Sequence, residues 1–187
     1  MKNRFIIAFL FLLTAAGVQA QFRPMVRAYY YKALVESRRN SWAVEIGGDY
    51  QLNPHWGLRG GIGIGSMKYG KDEAEVNDLV KASNEIIVPL FAEIDYGFRK
   101  QGATPYLALN AGYIKCLSFE GSEDPGVFIS PALGYSIPVT KDGSSIFLQL
   151  GYRWNPPYNI GTHQFNGRYD SARLSFNQIG ITIGFVY

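Results

Sequence analysis

A set of acidic and basic residues recurs with the spacing that would place them on one face of successive β-strands. Glu93 and Asp95 stand two residues apart, which on an extended strand separates them by about 6–7 Å. Such a carboxylate pair could act as general acid and general base. The wider set could instead line a polar pore or neutralise itself in a salt-bridged plug. Its members are Glu45, Asp49, Glu93, Asp95, Arg59 and Arg153, with Arg27 as a further candidate.

The two histidines are the candidates for hydrolytic chemistry, which needs a nucleophile beside a base. His55 falls in a predicted tight turn, and His163 falls in a long polar segment with Asp170 and Ser171 nearby. The His-x-Ser arrangement of lipid A deacylases is absent, because Phe165 stands two residues after His163. The sequence therefore predicts polar loop histidines and no catalytic residue, with a lipid-modifying enzyme as an alternative.

Metal and nucleotide sites lack their usual spacing. The acidic cluster of Asp72, Glu73, Glu75 and Asp78 does not have the spacing of a calcium loop. The glycine-rich run at 60–65 (GGIGIG) lies inside a predicted strand with no helix after it, unlike a phosphate-binding loop. We predict no metal, no cofactor and no internal disulfide, since Cys116 is the lone cysteine.

The segment from Asn155 to Ser171 is the predicted recognition loop. It is the longest connection between predicted strands, and loops on a rigid scaffold often bind partners. The alternative is a loop that only shields the mouth of the barrel. Its candidate contact residues are Tyr158, His163, Phe165, Arg168 and Tyr169.

Strict alternation of apolar and small or polar residues defines the elements that hold these groups. In the last segment, Ile179, Ile181, Ile183, Phe185 and Tyr187 share one face, and Gln178, Gly180, Thr182 and Gly184 share the other. The same pattern recurs along the chain and predicts about eight strands. The first strand, near Met25 to Val35, is ambiguous because Tyr29, Tyr30 and Tyr31 occupy both faces.

The connections alternate in length, as they do in outer-membrane barrels with short periplasmic turns and longer outer loops. Short turns are predicted at 53–55, 99–104 and 140–144, and longer connections at 36–41, 70–82, 120–126 and 155–171. An even strand count would leave both termini in the periplasm. Outward aromatic residues then form two belts, Tyr50, Trp56, Tyr96, Tyr135 and Tyr187 at one rim and Trp42, Tyr113, Tyr152 and Trp154 towards the other.

A soluble lipocalin-type barrel is the main alternative fold, with its apolar face inside. It would place many strand glycines, among them Gly61, Gly134 and Gly180, on the solvated surface, where glycine weakens a strand without a compensating gain. In a narrow membrane barrel the same glycines make room for long charged side chains. The first strand also lacks a Gly-x-Trp motif. The pattern favours the membrane barrel.

The amino-terminal segment resembles an export signal. Lys2 and Arg4 precede the apolar run of Phe5 to Leu13, and Val18 and Ala20 are small residues suited to cleavage. We therefore predict a cleaved signal peptide at 1–20 and a barrel domain at 21–187. The net charge of +3, with acids and bases interspersed, predicts no nucleic-acid partner.

Three segments resemble a known family: 86–90 (IIVPL), 104–107 (TPYL) and 179–187 (IGITIGFVY). They are similar to the outer-membrane β-barrel domain family of Bacteroidetes, which includes porin-like and PorT-like proteins and shares its architecture with OmpA/OmpX-type small barrels. The resemblance implies that Ile181, Ile183, Phe185 and Tyr187 form the signal for the barrel-assembly machinery. It also allows an accessory role in a secretion system.

The sequence as a whole predicts an all-β protein, an eight-stranded antiparallel up-and-down transmembrane β-barrel in the cell outer membrane. We expect a monomer with a plugged polar interior, exposed outer loops and a structural or surface-interaction role, and no enzyme. Its expected partners are outer-membrane lipid including lipopolysaccharide, the barrel-assembly machinery and an extracellular ligand of unknown kind. A narrow porin-like channel for small polar solutes is the first alternative function.

Overall fold

The computed structural model describes residues 22–34, 40–68, 84–99, 102–117, 126–140, 143–159, 163–165, 168–170 and 173–187. The predicted signal peptide and the acidic cluster at 72–78 lie outside these residues. The strands are β1 (Phe22–Ala33), β2 (Asn40–Gln51), β3 (Trp56–Lys68), β4 (Asn84–Gly97), β5 (Thr104–Cys116), β6 (Gly126–Pro138), β7 (Ser145–Asn159), β8 (His163–Phe165), β9 (Arg168–Asp170) and β10 (Arg173–Val186).

Eight of these strands close into one antiparallel barrel in the order β1-β10-β7-β6-β5-β4-β3-β2. Each barrel strand pairs with the next barrel strand along the chain, so that β7 pairs with β10, and β1 pairs with β10 to close the wall. The predicted eight-stranded up-and-down topology is confirmed. Among the described residues, no helix has the length and apolar character needed to cross a membrane.

The two faces of the wall differ sharply in chemistry. Ile181 and Leu148 are 55% and 52% exposed on the outer face, whereas Glu93 and Arg153 are 2% and 1% exposed inside. A lipocalin-type barrel would show the reverse. The outward apolar side chains and inward charges therefore exclude the soluble alternative for the described strands.

The ambiguous first strand is resolved by its register. Tyr29 and Tyr31 are buried inside the barrel, while Tyr30 faces outward, opposite Trp42 of β2 and Ile181 of β10. Arg27 lies two residues before Tyr29 on the same strand, so its side chain also points inward. The strand runs from Phe22 to Ala33, so the prediction placed it two to three residues too late.

The barrel has a turn end and a loop end, which we define by their connections. The turn end carries the short connections at 52–55, 98–103 and 139–144, and the loop end carries the longer ones. At the first turn, Asn53 Oδ1 accepts hydrogen bonds from the backbone N–H groups of His55 and Trp56, at 2.9 and 3.0 Å. This side-chain-mediated turn explains the tight reversal there.

Part of the predicted recognition loop belongs to β-strands. We predicted a loop from Asn155, but β7 continues to Asn159 and pairs there with Arg173 of β10. Between these strands, β8 and β9 form a separate two-stranded sheet. The strand continues through Pro156 and Pro157 because β10 still pairs with β7 beyond them, at Tyr158 and Asn159.

Two prolines interrupt the ladders of the wall. The β6–β7 register passes from Ile129↔Trp154 to Ala132↔Gly151 without the two intervening pairs, which involve Pro131. The β3–β4 register skips two pairs in the same way beside Pro89. Proline has no backbone N–H, so each one removes a hydrogen bond from an otherwise continuous ladder.

Candidate functional site

A chain of alternating charges runs through the lumen. Asp49 accepts hydrogen bonds from Arg23 Nη2 at 2.5 Å and from Arg59 Nε at 2.9 Å. Glu93 accepts from Arg59 Nη1 and from Arg27 Nη1, both at 2.8 Å. Arg27 Nε also donates to Glu45 Oε2, which ends the chain. The order of charges is Arg23–Asp49–Arg59–Glu93–Arg27–Glu45.

Strand register accounts for most of these contacts. Arg59 of β3 lies directly opposite Asp49 of β2 and Glu93 of β4, and Arg27 of β1 lies opposite Glu45 of β2. Directly opposed side chains on one face of an antiparallel pair are close enough to interact. The Arg27–Glu93 contact is different, because it joins β1 to β4 across the lumen.

Glu93 is the centre of this network. Its Oε1 accepts from Arg59 Nη1 and from Gln149 Nε2, each at 2.8 Å, and its Oε2 accepts from Arg27 Nη1. Three strands besides β4 therefore converge on one carboxylate, which is buried. Charge-assisted hydrogen bonds of this kind are the stronger ones in proteins.

Aromatic rings fill the space around the charges. The Arg27 guanidinium carbon lies 3.4 Å from the ring centre of Phe91, and that of Arg59 lies 4.6 Å from Phe147. The guanidinium carbon of Arg59 also lies 5.1 Å from the ring centre of Tyr106. Stacked cations and rings thus occupy the described lumen, as expected for a barrel whose interior is just wide enough for side chains.

Arg153 is buried in the lumen but takes part in none of the ion pairs just described. Its guanidinium carbon is surrounded by the rings of Tyr31, Tyr29 and Phe128, at 4.0, 4.5 and 4.5 Å. Its Nε and Nη1 atoms donate no hydrogen bond within the described residues. Cation–π contacts therefore replace a carboxylate partner at this position.

Asp95 lies nearer the turn end, where the lumen opens into a cavity of 510 Å³. Its Oδ2 is 3.6 Å from Arg59 Nη2, which makes an ion pair but not a hydrogen bond. Glu93 and Asp95 thus contact the same guanidinium. A proton-transferring pair would need carboxylates open to substrate, whereas the carboxylate of Glu93 is occupied by three donors.

The structure brings together five of the six predicted interior residues, Glu45, Asp49, Arg59, Glu93 and Asp95, and sets Arg153 apart. It adds residues that the sequence reasoning gave no role, namely Arg23, Gln149, Phe91, Tyr106 and Phe147. The alternation pattern contained a signal for Phe91 and Phe147, since both fall on the inward face of their strands. No group of three or more metal-binding side chains occurs in the described part of the chain.

The remaining predicted residues have more limited outcomes. His55 Nδ1 donates to the backbone carbonyl of Gly97 at 2.8 Å, and the His55 ring stacks on Tyr96, so it holds a turn together. The backbone of His163 and Phe165 pairs with that of Asp170 and Arg168 in the β8–β9 sheet. The side chains of Tyr158, His163, Phe165, Arg168 and Tyr169 lie outside the described set. Ile181, Ile183 and Tyr187 of the predicted assembly signal are exposed on the outer face.

Solved structures with similar folds are small outer-membrane barrels. Neisserial surface protein A (NspA) is similar with a TM-score of 0.55 and 19% identity, over 90% of this chain and 97% of that chain. The N-terminal β-barrel domain of Pseudomonas aeruginosa OprF gives 0.45 and 14%, over 90% and 100%. Ail of Yersinia pestis gives 0.39 and 12%, over 88% and 97%.

Searches of family models and of curated proteins find no match to this chain. The similarity to NspA confirms the fold, an outer-membrane-type eight-stranded barrel. The resemblance to the Bacteroidetes family and to PorT-like proteins stays a prediction.

Proposed function

We propose that this chain is an integral outer-membrane protein with a structural or surface-interaction role, in which a plugged barrel holds the loop end as the working surface. The apolar outer face supports membrane insertion, because exposed Ile, Leu and Val side chains on all eight barrel strands would be costly in water. The proposal includes export through the periplasm with removal of residues 1–20, insertion as a monomer by the barrel-assembly machinery, and contact with lipopolysaccharide. It places the turn end in the periplasm.

The buried charge network is the observation that carries the proposal. Arg27, Arg59 and Glu93 join strands on opposite sides of the lumen, and rings stack on both guanidinium groups. A solute could pass only if these contacts broke, and an uncompensated buried charge costs about 3–5 kcal/mol. The barrel is therefore better suited to rigidity than to conduction.

Single-channel recording in planar lipid bilayers tests the plug. We expect no steady conductance from the refolded wild-type protein, with folding checked by the gel shift between unboiled and boiled samples. The double variant Arg59→Ala/Glu93→Ala is the positive control, because it removes both partners and should conduct. Steady conductance of the wild type would contradict the plugged barrel and support the narrow-channel alternative.

Co-purification from native outer membranes tests the working surface. We expect at least one surface or membrane partner to bind the wild type and to be lost when residues 160–172 are replaced by a short Gly-Ser linker. A matched control replaces residues 139–144 at the opposite end. Equal recovery of every partner with both variants would reject the loop end as the working surface. If secretion proteins co-purify, the PorT-like role is favoured instead. If mass spectrometry shows a lipid A modification that His163→Ala abolishes, the lipid-modifying enzyme is favoured.

A further inference from the structure

The turn end contains a cavity that the proposed structural role does not use. Its volume is 510 Å³, within the range typical of small-molecule sites. Arg23, Arg59, Asp95, Arg99 and Tyr106 line it. The cavity opens beyond the charge network, on the side that the proposed function assigns to the periplasm.

Two buried polar atoms of the cavity wall lack hydrogen-bond partners within the described residues. They are Oδ2 of Asp95 and Oη of Tyr106, and the two residues are 8% and 1% exposed. Buried polar groups are normally satisfied by protein, ordered water or a ligand. A polar group that enters this cavity would therefore find two buried atoms to which it can hydrogen-bond.

Glycines on neighbouring strands give these two side chains their positions. A Cβ atom at Gly57 would lie 2.7 Å from Asp95 Oδ2, and one at Gly134 would lie 2.6 Å from Tyr106 Oη. Both distances are shorter than real Cβ contacts allow. The wall is therefore shaped to hold a carboxylate and a phenol beside the cavity.

Asp95 is the one carboxylate among the residues that line the cavity, which also include Arg23 and Arg59. The connected network contains the arginines Arg23, Arg27 and Arg59 and the acids Glu45, Asp49, Glu93 and Asp95, so one carboxylate is in excess. Among the described residues, Asp95 is the acid of this network whose one ion pair is the long 3.6 Å contact. Its Oδ2 atom, which has no hydrogen-bond partner there, is thus available to accept a hydrogen bond from an ammonium group.

The outer part of the cavity carries the positive charge of Arg99. Arg99 is exposed in the turn after β4 and lines the cavity, and its backbone N–H donates to Thr104 Oγ1 at 3.0 Å, which holds the backbone of the turn. Its guanidinium makes no ion pair with any residue in the described ranges. Guanidinium groups bind carboxylates in bidentate geometry.

We propose that this cavity binds small amino-acid-like zwitterions, with the primary ammonium group at Asp95 and the carboxylate at Arg99. Free amino acids and the ends of short peptides share this chemistry. Tyr106 Oη supplies a further hydrogen bond at the inner wall. The ligand enters from the turn end and leaves the plug intact, so binding does not depend on conductance or on the loop end.

Titration of the refolded protein in detergent micelles by calorimetry tests the proposal, with glycine and triglycine as probes. We expect binding of at least one probe. N-acetyl-triglycine, without the ammonium group, and triglycine amide, without the carboxylate, should each bind at least about tenfold more weakly, the loss typical of one charged hydrogen bond. Binding of triglycine but not glycine identifies a peptide end, and binding of glycine identifies a free amino acid.

Three variants test whether the probe binds in this cavity. Asp95→Asn and Arg99→Gln should each weaken binding at least about tenfold, whereas Glu45→Gln, which removes an acid of the same network away from the cavity, should bind as the wild type does. Arg99 is exposed in a turn, so its variant keeps the test valid if Asp95→Asn does not fold. The proposal is overturned if neither probe binds at millimolar concentration, if the acetylated probe binds equally well, or if Arg99→Gln binds unchanged.

Discussion

Replacement of Glu93 by glutamine tests whether the charge network stabilises the barrel. The wild-type carboxylate accepts three hydrogen bonds, from Arg59, Arg27 and Gln149. Glutamine has the same shape but retains one acceptor oxygen, and its NH₂ group would point at an N–H donor. Two guanidinium groups then lose their shared counter-charge.

The expected loss follows from the number and kind of contacts. Removal of one partner from a buried ion pair costs about 3–5 kcal/mol, because the other charge stays buried without compensation. Arg59 keeps Asp49 and Asp95, and Arg27 keeps Glu45, so the loss is not doubled. We therefore expect Glu93→Gln to lower the free energy of unfolding by about 3–5 kcal/mol.

Urea unfolding in phospholipid vesicles, followed by tryptophan fluorescence and the heat-dependent gel shift, measures this loss. Glu45→Gln is the matched control, since it is the same substitution in the same network. Glu45 accepts only from Arg27 among the described residues, and its Oε1 has no hydrogen-bond partner there. We expect Glu45→Gln to cost clearly less than Glu93→Gln.

The reasoning is refuted if Glu93→Gln costs less than about 1 kcal/mol, the value of an ordinary neutral hydrogen bond. It is refuted as well if Glu45→Gln costs as much. Either result would mean that the lumen is solvated enough to screen these charges, and it would weaken the case for a plugged barrel.

Three further substitutions test the wall, each by the same unfolding assay. Gly134→Ala should destabilise by about 1–3 kcal/mol, because its Cβ would lie 2.2 Å from Tyr106 Cζ, whereas Gly60→Ala meets nothing closer than 3.5 Å; equal costs would contradict this. Ile181→Arg should cost about 2–4 kcal/mol near the bilayer midplane, and a negligible loss would argue against a lipid-facing position. Pro131→Val should stabilise by about 0.5–1.5 kcal/mol through the restored ladder hydrogen bond, and a destabilised variant would show that the interruption is needed.

The sequence could predict which residues face the lumen, because successive side chains of a β-strand point to opposite faces. The alternation in the sequence assigned five charged residues to the inward face, and all five are buried inside the barrel: Glu45, Asp49, Arg59, Glu93 and Asp95. The inward face of the first strand could not be assigned in this way, because Tyr29, Tyr30 and Tyr31 place aromatic side chains on both faces. Only the pairing of β1 with both β2 and β10 settles which of them turn inward.

The partners of the inward charges were not predictable. The alternation shows that a side chain points inward. Its position along the barrel axis depends on the register of each strand and on the stagger accumulated around the barrel. The Arg27–Glu93 contact spans β1 to β4 and has no sequence signal of its own. The extension of β7 past Asn155 was missed for a similar reason, because Pro156 and Pro157 indicated a loop and pairing with β10 overrode them.

Arg59 and Arg153 look alike in sequence, yet the structure gives them opposite energetic roles. Arg59 contacts three carboxylates, so Arg59→Met should cost about 3–5 kcal/mol, because Asp95 loses its ion pair among the described residues and Asp49 and Glu93 keep only Arg23 and Arg27. Arg153 sits among three rings, and no described carboxylate forms an ion pair with it, so a methionine of similar length would pack there without desolvating a charge. Replacement of a buried charge by a well-packed apolar group is often neutral or stabilising, so Arg153→Met should change the free energy of unfolding by less than about 1.5 kcal/mol. A loss of about 3 kcal/mol or more at Arg153 would show that it balances the excess carboxylate of the network through space, and that the lumen behaves as one electrostatic unit.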